Sequence, residues 1–383
     1  MEAKNNKTAS MEIYIHIPFC AKKCEYCDFL SGPAGGKEQR AYVQALLKEI
    51  RAAEEGQGRS VSSIFIGGGT PSLLKEDLLG SILNEIYKKF NLEPGAEISI
   101  EVNPGTVSSK KLEAYRRMGI NRLSIGLQST DDRELKTLGR LHNYAQFLET
   151  YQAAGNAGFD NINIDLMSAL PDQTYEGWVA NLRRTAELSP AHISAYSLII
   201  EEGTPFAMRE LNLPDEETEY RMYEDTAAIL EEYGYEQYEI SNYAKKGRRC
   251  RHNVGYWTRC DYLGLGLGAA SLWGKKRFSN TADMEEYLRN SAFPGRIRLM
   301  EPVLSREDEM AEFMFLGLRM TEGVSEAAFR QGFGVEMREI YGEVLKKYTG
   351  MELLEEKDGR IFLTRKGIHV SNSVMSDFLL ETP

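Results

Sequence analysis

The sequence has no long apolar stretch and no excess of positive charge. No run of 18 or more apolar residues occurs, as a membrane-spanning helix would require. Residues 1–10 are polar and lack the apolar core of a secretory signal, so residues 1–11 are predicted to form a flexible tail. The formal net charge of −11 argues against a nucleic-acid partner, which needs a basic surface. We therefore expect an acidic protein of the cytoplasm.

Cysteine is scarce, with five in 383 residues, yet Cys20, Cys24 and Cys27 stand together as C-x3-C-x2-C. The preceding stretch, residues 12–19, is rich in β-branched and aromatic residues and predicts a strand that ends at Pro18, which places the cysteines on a loop. Three thiolates can hold a [4Fe–4S] cluster and leave its fourth iron open.

Two other interpretations of the cysteines are weaker. Zinc usually takes four ligands, and no second Cys or His pair is present, although His16 offers one further nitrogen. A disulfide framework is disfavoured because the three cysteines are odd in number and no secretory signal precedes them.

The cysteine stretch resembles a known family. C-x3-C-x2-C with an aromatic residue, Tyr26, before the last cysteine resembles the signature of the radical S-adenosylmethionine (SAM) enzymes. The longer string over residues 14–29 is similar to one branch, the oxygen-independent coproporphyrinogen III oxidases and their heme-chaperone relatives, and this resemblance continues to the C-terminus. It implies a [4Fe–4S] cluster on Cys20, Cys24 and Cys27, with SAM as a second cofactor.

Strand-like and helix-like segments alternate at least six times between residues 12 and 240, among them a helix over residues 108–118 capped by Ser108 and a strand over residues 122–128. This alternation predicts an α/β protein with a parallel sheet covered by helices. The pattern fits an open sheet and a barrel equally well. The resemblance implies a partial (β/α)6, TIM-like radical SAM barrel, which we place at residues 12–244. A connector is predicted at 245–300.

The last part of the chain, residues 301–383, is predicted to form a smaller helical, winged-helix-like domain. Its pattern is a series of helices followed by a hairpin and a final helix over residues 370–380. Winged helices commonly bind DNA, but no basic recognition helix is evident, so we interpret this domain as a packing or lid element.

Polar residues stand at the ends of otherwise apolar predicted strands. In barrels of this kind, functional sites gather at the carboxyl ends of the strands. A buried carboxylate also needs a polar partner. A shared ligand pocket is therefore predicted from the residues at these ends, namely Glu101, Asn103, Gln128, Asp165 and Ser197.

A glycine-rich run, Gly67-Gly-Gly-Thr-Pro71, follows a predicted strand and is not a P-loop, because no Gly-Lys-Ser/Thr follows it. By resemblance, Gly68, Gly69 and Thr70 contact SAM, Tyr14 contacts SAM beside the cluster, and Glu101 reaches its ribose or a nearby polar edge. By the same resemblance, three further residues line the cavity, namely Gln128, Arg140 and Asp165. In the oxidases the matching residues bind a second SAM, and whether this chain binds a second SAM stays open.

Residues 264–269 match G-x-G-x-x-A, which in the right setting binds a dinucleotide. Neither a preceding strand over residues 258–261 nor a surrounding βαβ unit is predicted. The sequence therefore does not favour NAD as a cofactor.

The string His252-Asn-Val-Gly-Tyr-Trp257 combines a histidine with aromatic side chains. A single histidine is commonly a hydrogen-bonded structural residue, but histidine is also a standard axial ligand of heme iron. By resemblance this HNxxYW string is typical of the heme-chaperone branch, so His252 is predicted to bind heme. Cys250 is a second conceivable ligand, whereas Cys260 is interpreted as structural.

Two features favour the chaperone over the oxidase. The oxidases carry a fourth cysteine two residues after the third, where this chain has Phe29, and they have a longer segment before the position of Tyr14. The resemblance then implies delivery of heme to apo-hemoproteins such as cytochromes, with no catalytic residue assigned. It also implies an electron donor such as flavodoxin or ferredoxin, and transient membrane association through acceptor proteins.

Two alternative functions stay open at this point. One is a radical SAM enzyme that decarboxylates a porphyrinogen or assists methyl transfer to heme. The other is a cluster-bearing structural or sensor protein.

Overall fold

The computed structural model of the chain describes residues 10–56 and 58–380. Its strands and helices follow in chain order. The strands are Met11–Ile17 (β1), Ser60–Gly68 (β2), Asn91–Val102 (β3), Arg122–Gln128 (β4), Ile162–Ser168 (β5), His192–Ser197 (β6), Glu236–Glu239 (β7), Asn242–Ala244 (β8), Tyr262–Leu265 (β9), Ala270–Trp273 (β10), Lys276–Asn280 (β11), Arg298–Met300 (β12), Val324–Ser325 (β13), Leu354–Lys357 (β14) and Arg360–Leu363 (β15).

The helices alternate with the strands through the first two thirds of the chain and dominate the last third. They are Gly36–Ala52 (α1), Glu76–Lys89 (α2), Ser109–Arg117 (α3), Asp132–Thr137 (α4), Tyr144–Asn156 (α5), Tyr175–Glu187 (α6), Glu216–Glu231 (α7), Arg251–Trp257 (α8), Met284–Asn290 (α9), Pro294–Ile297 (α10), Arg306–Gly317 (α11), Glu326–Phe333 (α12), Met337–Gly350 (α13), Arg365–His369 (α14) and Ser371–Ser376 (α15). Across the described residues, no helix is both long and apolar enough to cross a membrane.

One mixed sheet organises the protein, in the strand order β12-β11-β10-β9-β1-β2-β3-β4-β5-β6-β8-β7. From β9 to β6 all neighbours are parallel. The strand β8 pairs antiparallel with β6 at one edge, and β10 to β12 add antiparallel pairs at the other. Because the parallel strands are connected through helices, their carboxyl ends lie along one rim of the sheet.

Apolar side chains explain the central strands and the helices that cover them. The isoleucines of β1, Ile13, Ile15 and Ile17, are fully buried and belong to one large core with Ile64 and Ile125 of neighbouring strands. Strands buried on both faces are typical of parallel sheets covered by helices. The predicted α/β barrel-type fold is confirmed.

Most predicted elements lie where the structure has them, but some differ. The strand over residues 122–128 and the helix cap Ser108, which accepts a hydrogen bond from the Lys111 amide at 3.3 Å, are confirmed. The single helix predicted over residues 370–380 is wrong, because the backbone of Val370 leaves the helical conformation and separates α14 from α15. The helices α4 and α8 were not predicted.

Residues 245–300, predicted as a connector, contribute α8 and the strands β9 to β12 to the main sheet. The strand β9 continues into Gly266 and Gly268, both at positive φ, and then into β10, with no helix between them. A dinucleotide-binding turn would lead from a strand into a helix. The domain boundaries predicted at residues 244 and 300 stay predictions. The predicted tail, residues 1–11, lies mostly outside the described residues.

The last part of the chain has a core of its own. Helices α11 to α15 and the small sheet β13-β15-β14 enclose Met314, Phe329, Tyr341 and Phe378. A bond between His369 Nε2 and Glu224 Oε1 of α7, at 2.7 Å, ties this part to the barrel. The helical C-terminal domain predicted from the sequence is confirmed.

Candidate functional site

The cysteine loop leaves β1 at Pro18 and is held closed by its own backbone. The amide of Cys20 donates to the Gly32 carbonyl, and the Gly32 amide donates to the Pro18 carbonyl, both at 3.0 Å. All three cysteines of the loop carry free thiols and are half-buried. The loop thus presents three thiol groups from a fixed backbone at the rim of the sheet.

Two polar side chains contact the thiols from other elements. The hydroxyl of Thr70 donates to Cys20 Sγ, and Nη1 of Arg140 donates to Cys24 Sγ, each at 3.5 Å. Burial raises the pKa of the Cys27 thiol above its ordinary value. A positive charge beside a sulfur favours its thiolate, which is the form that binds iron.

The sequence allows these cysteines to hold either a single zinc ion or an iron–sulfur cluster. The described residues contain no group of three or more His, Cys, Asp or Glu side chains that could hold a single metal ion. His16, the further nitrogen open to a zinc site, is engaged elsewhere, since its Nε2 donates to the Leu30 carbonyl at 2.8 Å. Three free thiols without a fourth protein ligand fit an iron–sulfur cube, which takes one thiolate on each of three irons.

The glycine run lies directly against the cysteine loop. Gly69 N donates to the Ile17 carbonyl at 2.9 Å, and Thr70 N donates to the Phe19 carbonyl at 2.6 Å. A Cβ at Gly69 would lie 2.6 Å from the Phe19 carbonyl oxygen, so only glycine allows this approach. The glycines therefore fasten the end of β2 to the cysteine loop.

Glu101 lies at the end of β3 and accepts a hydrogen bond from the Gly68 amide at 3.0 Å. Burial, together with the nearby charge of Asp165, raises the pKa of Glu101 to about 8. The side chain is therefore largely a neutral acid at pH 7. In that form it can both donate and accept a hydrogen bond to a ligand hydroxyl.

Arg140 joins three parts of the rim. Besides Cys24, its guanidinium donates from Nη2 to Asn103 Oδ1 and to the Gly126 carbonyl, both at 2.7 Å. Asn103 in turn donates from Nδ2 to Thr70 Oγ1 at 2.8 Å. This network fixes the glycine run, the cysteine loop and β4 relative to one another.

Gln128 ends β4 in a left-handed backbone conformation, with φ of 75°, where the pairing with β5 shifts its register. Such irregularities redirect a side chain and are common beside functional sites. The side-chain oxygen Oε1 of Gln128 accepts a hydrogen bond from the Tyr196 hydroxyl at 3.0 Å. On the next strand, Asp165 accepts from Asn163 Nδ2 at 2.7 Å, and burial raises its pKa.

These groups surround a cavity of about 570 Å³ inside the barrel. All the predicted site residues line it except Tyr14 and His252. Two apolar side chains at the cavity, Phe29 and Ile199, are 60% and 69% exposed. The cavity has the size of an ordinary small-molecule site, and it brings together residues from the strands β2 to β6.

Tyr14 lies behind the rim. Its hydroxyl donates to His16 Nδ1 at 3.0 Å, and its ring stacks on Phe65, whose side chain does line the cavity. In this arrangement Tyr14 supports the site and does not face it. The predicted contact of Tyr14 with SAM therefore stays a prediction.

His252 lies on α8, is 1% exposed and does not line the cavity. Its Nδ1 hydrogen-bonds to the Ser63 hydroxyl at 2.8 Å and its Nε2 to the Tyr256 hydroxyl at 3.0 Å. Burial and the charge of Arg122 lower the pKa of His252 to about 3, so the ring is neutral at pH 7. Both nitrogens are occupied, so heme ligation by His252 stays a prediction that requires α8 to move.

Neither of the other two cysteines reaches the cavity. Burial raises the pKa of the Cys250 thiol to about 12, and the side chain is fully enclosed. Burial likewise raises the pKa of Cys260 to about 12. Both thiols are therefore protonated at neutral pH, which suits structural positions.

Sequence reasoning did not find the far end of the cavity. Several polar side chains on the inner face of the strands and on α8 line this part. The alternation of inward positions along a strand would have located those on β4 by counting back from Gln128. They are Arg122, Ser124, Asn163, Ser194, Asn242 and Asn253.

Two family models match the chain. Residues 14–184 match the model of the Radical SAM superfamily, and residues 304–370 match that of the HemN C-terminal domain. Among solved structures, the coproporphyrinogen III oxidase HemN of Escherichia coli superposes with a TM-score of 0.85 at 25% identity, over 97% of this chain and 90% of that one. The chain is a radical SAM protein, and this class implies a [4Fe–4S] cluster and SAM.

The chain is also similar to named relatives that form one family among the radical SAM proteins. The heme chaperone HemW of Lactococcus lactis subsp. lactis is 37% identical over 96% of this chain and 97% of the relative. That of Escherichia coli is 43% identical over 69% and 70%, and a zebrafish (Danio rerio) mitochondrial protein, radical S-adenosyl methionine domain-containing protein 1, is 30% identical over 96% and 87%. The chain belongs to the HemW family.

Proposed function

We propose that the protein is a heme chaperone, which binds a [4Fe–4S] cluster, SAM and heme and passes heme to apo-hemoproteins. The observation that carries this proposal is the rim of the cavity. There, three free cysteines stand beside an exposed aromatic side chain, Phe29, at the position where the oxidases have a fourth cysteine. The proposed acceptors include cytochromes, as expected from the sequence.

The cluster would be held by Cys20, Cys24 and Cys27. The closed backbone of their loop and the contact from Arg140 to Cys24 support this assignment. When bound, a [4Fe–4S] cluster supplies one-electron chemistry and one iron that no protein residue occupies. An electron donor such as flavodoxin or ferredoxin is part of the proposal.

SAM would bind where the glycine run meets the cluster loop. The close approach of Gly69 to Phe19 leaves the Gly68–Thr70 segment on the wall of the cavity, and Glu101 presents a neutral acid beside it. Gln128, Arg140 and Asp165 also line this cavity. These residues orient the ligand, and we assign none of them a catalytic step.

Heme would lie at the mouth of the cavity. A macrocycle needs a broad apolar surface, and Phe29 and Ile199 present exposed apolar side chains there, with Leu141 beside the adjoining cleft. Contiguous exposed apolar side chains commonly mark binding surfaces. Exposure at the mouth also suits transfer, because an acceptor protein can reach the bound macrocycle directly. Transient association with membranes would follow from membrane-bound acceptors.

The test for the cluster is anaerobic reconstitution with iron and sulfide of the wild type and of Cys24→Ser. We expect the variant to lose the broad visible absorbance of the cluster and most of its bound iron. Cys260→Ser is the matched control, because its thiol lies outside the cavity. Equal iron and absorbance in wild type and Cys24→Ser would contradict the assignment.

Heme binding is tested by titrating hemin into the reconstituted protein and following its visible spectrum. We expect tight binding that weakens in Phe29→Ser. A transfer step to an apo-cytochrome then tests the chaperone role. The competing enzymatic function is tested in the same samples with coproporphyrinogen III and SAM under reducing conditions, where formation of a decarboxylated porphyrinogen would make the protein an oxidase and refute the proposal.

A further inference from the structure

Arg122 is the first residue of β4 and one of the most deeply buried large side chains of the protein. It is 2% exposed and lines the cavity. Ser124, Gly126 and Gln128 follow on the same face of β4 and line the cavity too, as the period-two alternation of a strand requires. Arg122 therefore marks the amino-terminal end of a row whose other end, Gln128, lies at the rim.

The guanidinium of Arg122 has no protein partner that matches its charge. Its Nε lacks a hydrogen-bond partner, and within the described parts of the chain no carboxylate forms an ion pair with it. An arginine carries five N–H donors and cannot lose its proton in a protein. Burial of such donors without direct hydrogen-bond partners is unfavourable, and a ligand that accepts from them would relieve this.

The nearest acidic groups are engaged elsewhere. Glu97 accepts a hydrogen bond from the Arg251 amide at 3.1 Å, where α8 begins, and Asp165 accepts from Asn163 Nδ2 at 2.7 Å. Burial opposes the charge of Arg122, but the acidic groups around it outweigh this effect and hold its pKa above the ordinary value. The guanidinium is thus charged and has free donors in a cavity wall.

Neutral polar side chains complete this end of the cavity. Asn163 is fixed by the buried His192, whose Nδ1 donates to the Asn163 side-chain oxygen at 2.5 Å. The Ser194 hydroxyl donates to Asn242 Oδ1 at 2.7 Å. The register places Ser124 beside Asn163, and Ser194 beside Asn242. Amide and hydroxyl groups fixed in this way are typical of the polar contacts that orient a ligand.

Arg122 lies well away from the cysteine loop. Arg140, which contacts Cys24, donates to the carbonyl of Gly126, four residues further along β4 than Arg122. At about 3.3 Å per residue, the backbone of Arg122 lies roughly 13 Å along the strand from the carbonyl that Arg140 contacts. A group bound by Arg122 is therefore not the part of a SAM molecule that sits against the Gly68–Thr70 backbone.

We infer that Arg122, with the neutral polar side chains around it, forms a carboxylate-binding subsite at the amino-terminal end of the barrel cavity. The planar fork of an arginine matches a carboxylate through two parallel hydrogen bonds. A carboxylate carries one negative charge, whereas a phosphate carries nearly two and would be repelled more strongly by Glu97 and Asp165. The inference rests on the proposed function for its ligands. Two of those carry a carboxylate, namely a porphyrin, through a propionate directed inward from the mouth of the cavity, and a second SAM, through its amino-acid end.

The first arm of the test uses metal-free protoporphyrin IX and its dimethyl ester, titrated by fluorescence into wild type and Arg122→Gln. Metal-free porphyrins remove axial ligation, so the two compounds differ only at the carboxylates. If the carboxylate belongs to the porphyrin, wild type binds the free acid more tightly than the ester. Arg122→Gln then loses about 10-fold or more in affinity for the acid alone, as expected for a charged hydrogen bond of about 1.5 kcal/mol or more.

The second arm uses SAM and 5′-methylthioadenosine, which lacks the amino-acid carboxylate, in equilibrium dialysis. A selective loss of SAM binding in Arg122→Gln would identify SAM as the carboxylate source and would also support the subsite. The carboxylate-binding subsite would be overturned by two results together. Wild type would bind the acid and the ester with equal affinity, and Arg122→Gln would leave SAM binding unchanged. A wild type that binds no porphyrin but shows Arg122-dependent SAM binding would refute heme binding and leave the subsite intact.

Two controls separate a binding role from a structural one. Arg277→Gln removes a partly buried arginine of the outer strand β11, which is paired with Glu312 of α11, and should leave all four affinities unchanged. Arg122→Lys keeps the charge and should retain part of the preference for the acid. Arg122→Gln removes a charge that the surrounding acidic groups stabilise, so the melting temperature of each variant is measured beside its affinities. If Arg122→Gln did not fold, the acid–ester comparison in wild type and Arg122→Lys would decide.

Discussion

Replacing Glu101 by glutamine should stabilise the free protein, by an amount that grows with pH. The pKa of Glu101 is raised from 4.5 to about 8 by burial and by the charge of Asp165. A carboxyl group with a higher pKa in the folded state binds its proton more tightly there than in the unfolded chain. Stability therefore falls as pH rises from about 4.5 to about 8, and is constant outside this range.

The magnitude follows from the size of the shift. Each pKa unit corresponds to about 1.4 kcal/mol. If solvent did not reduce the shift, Glu101 would lower the free energy of unfolding by about 3 kcal/mol at pH 7 and by about 5 kcal/mol at pH 9. The side chain is half-buried and faces the cavity, so screening by solvent reduces these values by about half. Glutamine keeps an acceptor for the Gly68 amide and removes the charge. We expect a gain of about 1.5 kcal/mol at pH 7, rising to about 2.5 kcal/mol at pH 9.

Urea denaturation of wild type and Glu101→Gln at pH 5, 7 and 9 measures this difference. Glu12 also has a pKa raised to about 8 by burial, but it is present in both proteins and cancels in the comparison. Glu149→Gln is the control, because Glu149 is exposed on α5. A Glu101→Gln variant whose advantage is the same at pH 5 and at pH 9 would show that the carboxyl group ionises normally, and would refute the reasoning.

Three further changes test the packing of the chain, at the cysteine loop, on α13 and on α8. Gly69→Ala should destabilise the protein and lower its iron content after reconstitution, because the added Cβ would press on the Phe19 carbonyl oxygen. An iron content equal to that of wild type would contradict this expectation. Gly342→Ala, where a Cβ meets no atom within 4 Å on α13, should instead raise the free energy of unfolding by about 0.5–1 kcal/mol, read by urea denaturation. His252→Ala should lower it by about 2–4 kcal/mol in the same assay, through lost packing and two lost hydrogen bonds, and a neutral effect would refute its buried placement.

The central part of the fold could be predicted because its signals are local. The apolar runs of β1, β2 and β3 end at Pro18, Gly68 and Asn103, and helices such as α3 begin at a capping side chain, Ser108. Each of these signals lies within a few residues and does not depend on the rest of the chain. The alternation of such segments was sufficient to predict a parallel sheet covered by helices.

The outer strands could not be predicted in the same way. Strands β9 to β12 are only three to five residues long and contain polar residues such as Ser271 and Arg277. Short strands acquire their conformation from pairing with a neighbour, which sequence periodicity does not reveal. The helix α8 is a further case, because its amino-terminal amide is satisfied by Glu97, which is distant in sequence.

The cavity shows the same division between local and distant signals. The rule that sites gather at the carboxyl ends of strands located Glu101, Gln128 and Asp165, which line the upper part of the cavity. It examines only the last residues of each strand, and so passed over Arg122 at the beginning of β4. The contact of Arg140 with Cys24 was equally beyond local reasoning, since 116 positions separate the two residues in the chain.

The inward residues of β4 to β6 nevertheless carry a signal that can be used in other sequences. Barrel interiors are ordinarily filled by bulky branched side chains, which leave no space for a ligand. Here the inward positions of β4 and β6 include Ser124, Gly126 and Ser194, which are too small to fill the interior. Small polar residues at alternate positions of neighbouring parallel strands therefore indicate an internal cavity. A buried arginine in the same row, such as Arg122, indicates in addition the charge of the group that the cavity receives.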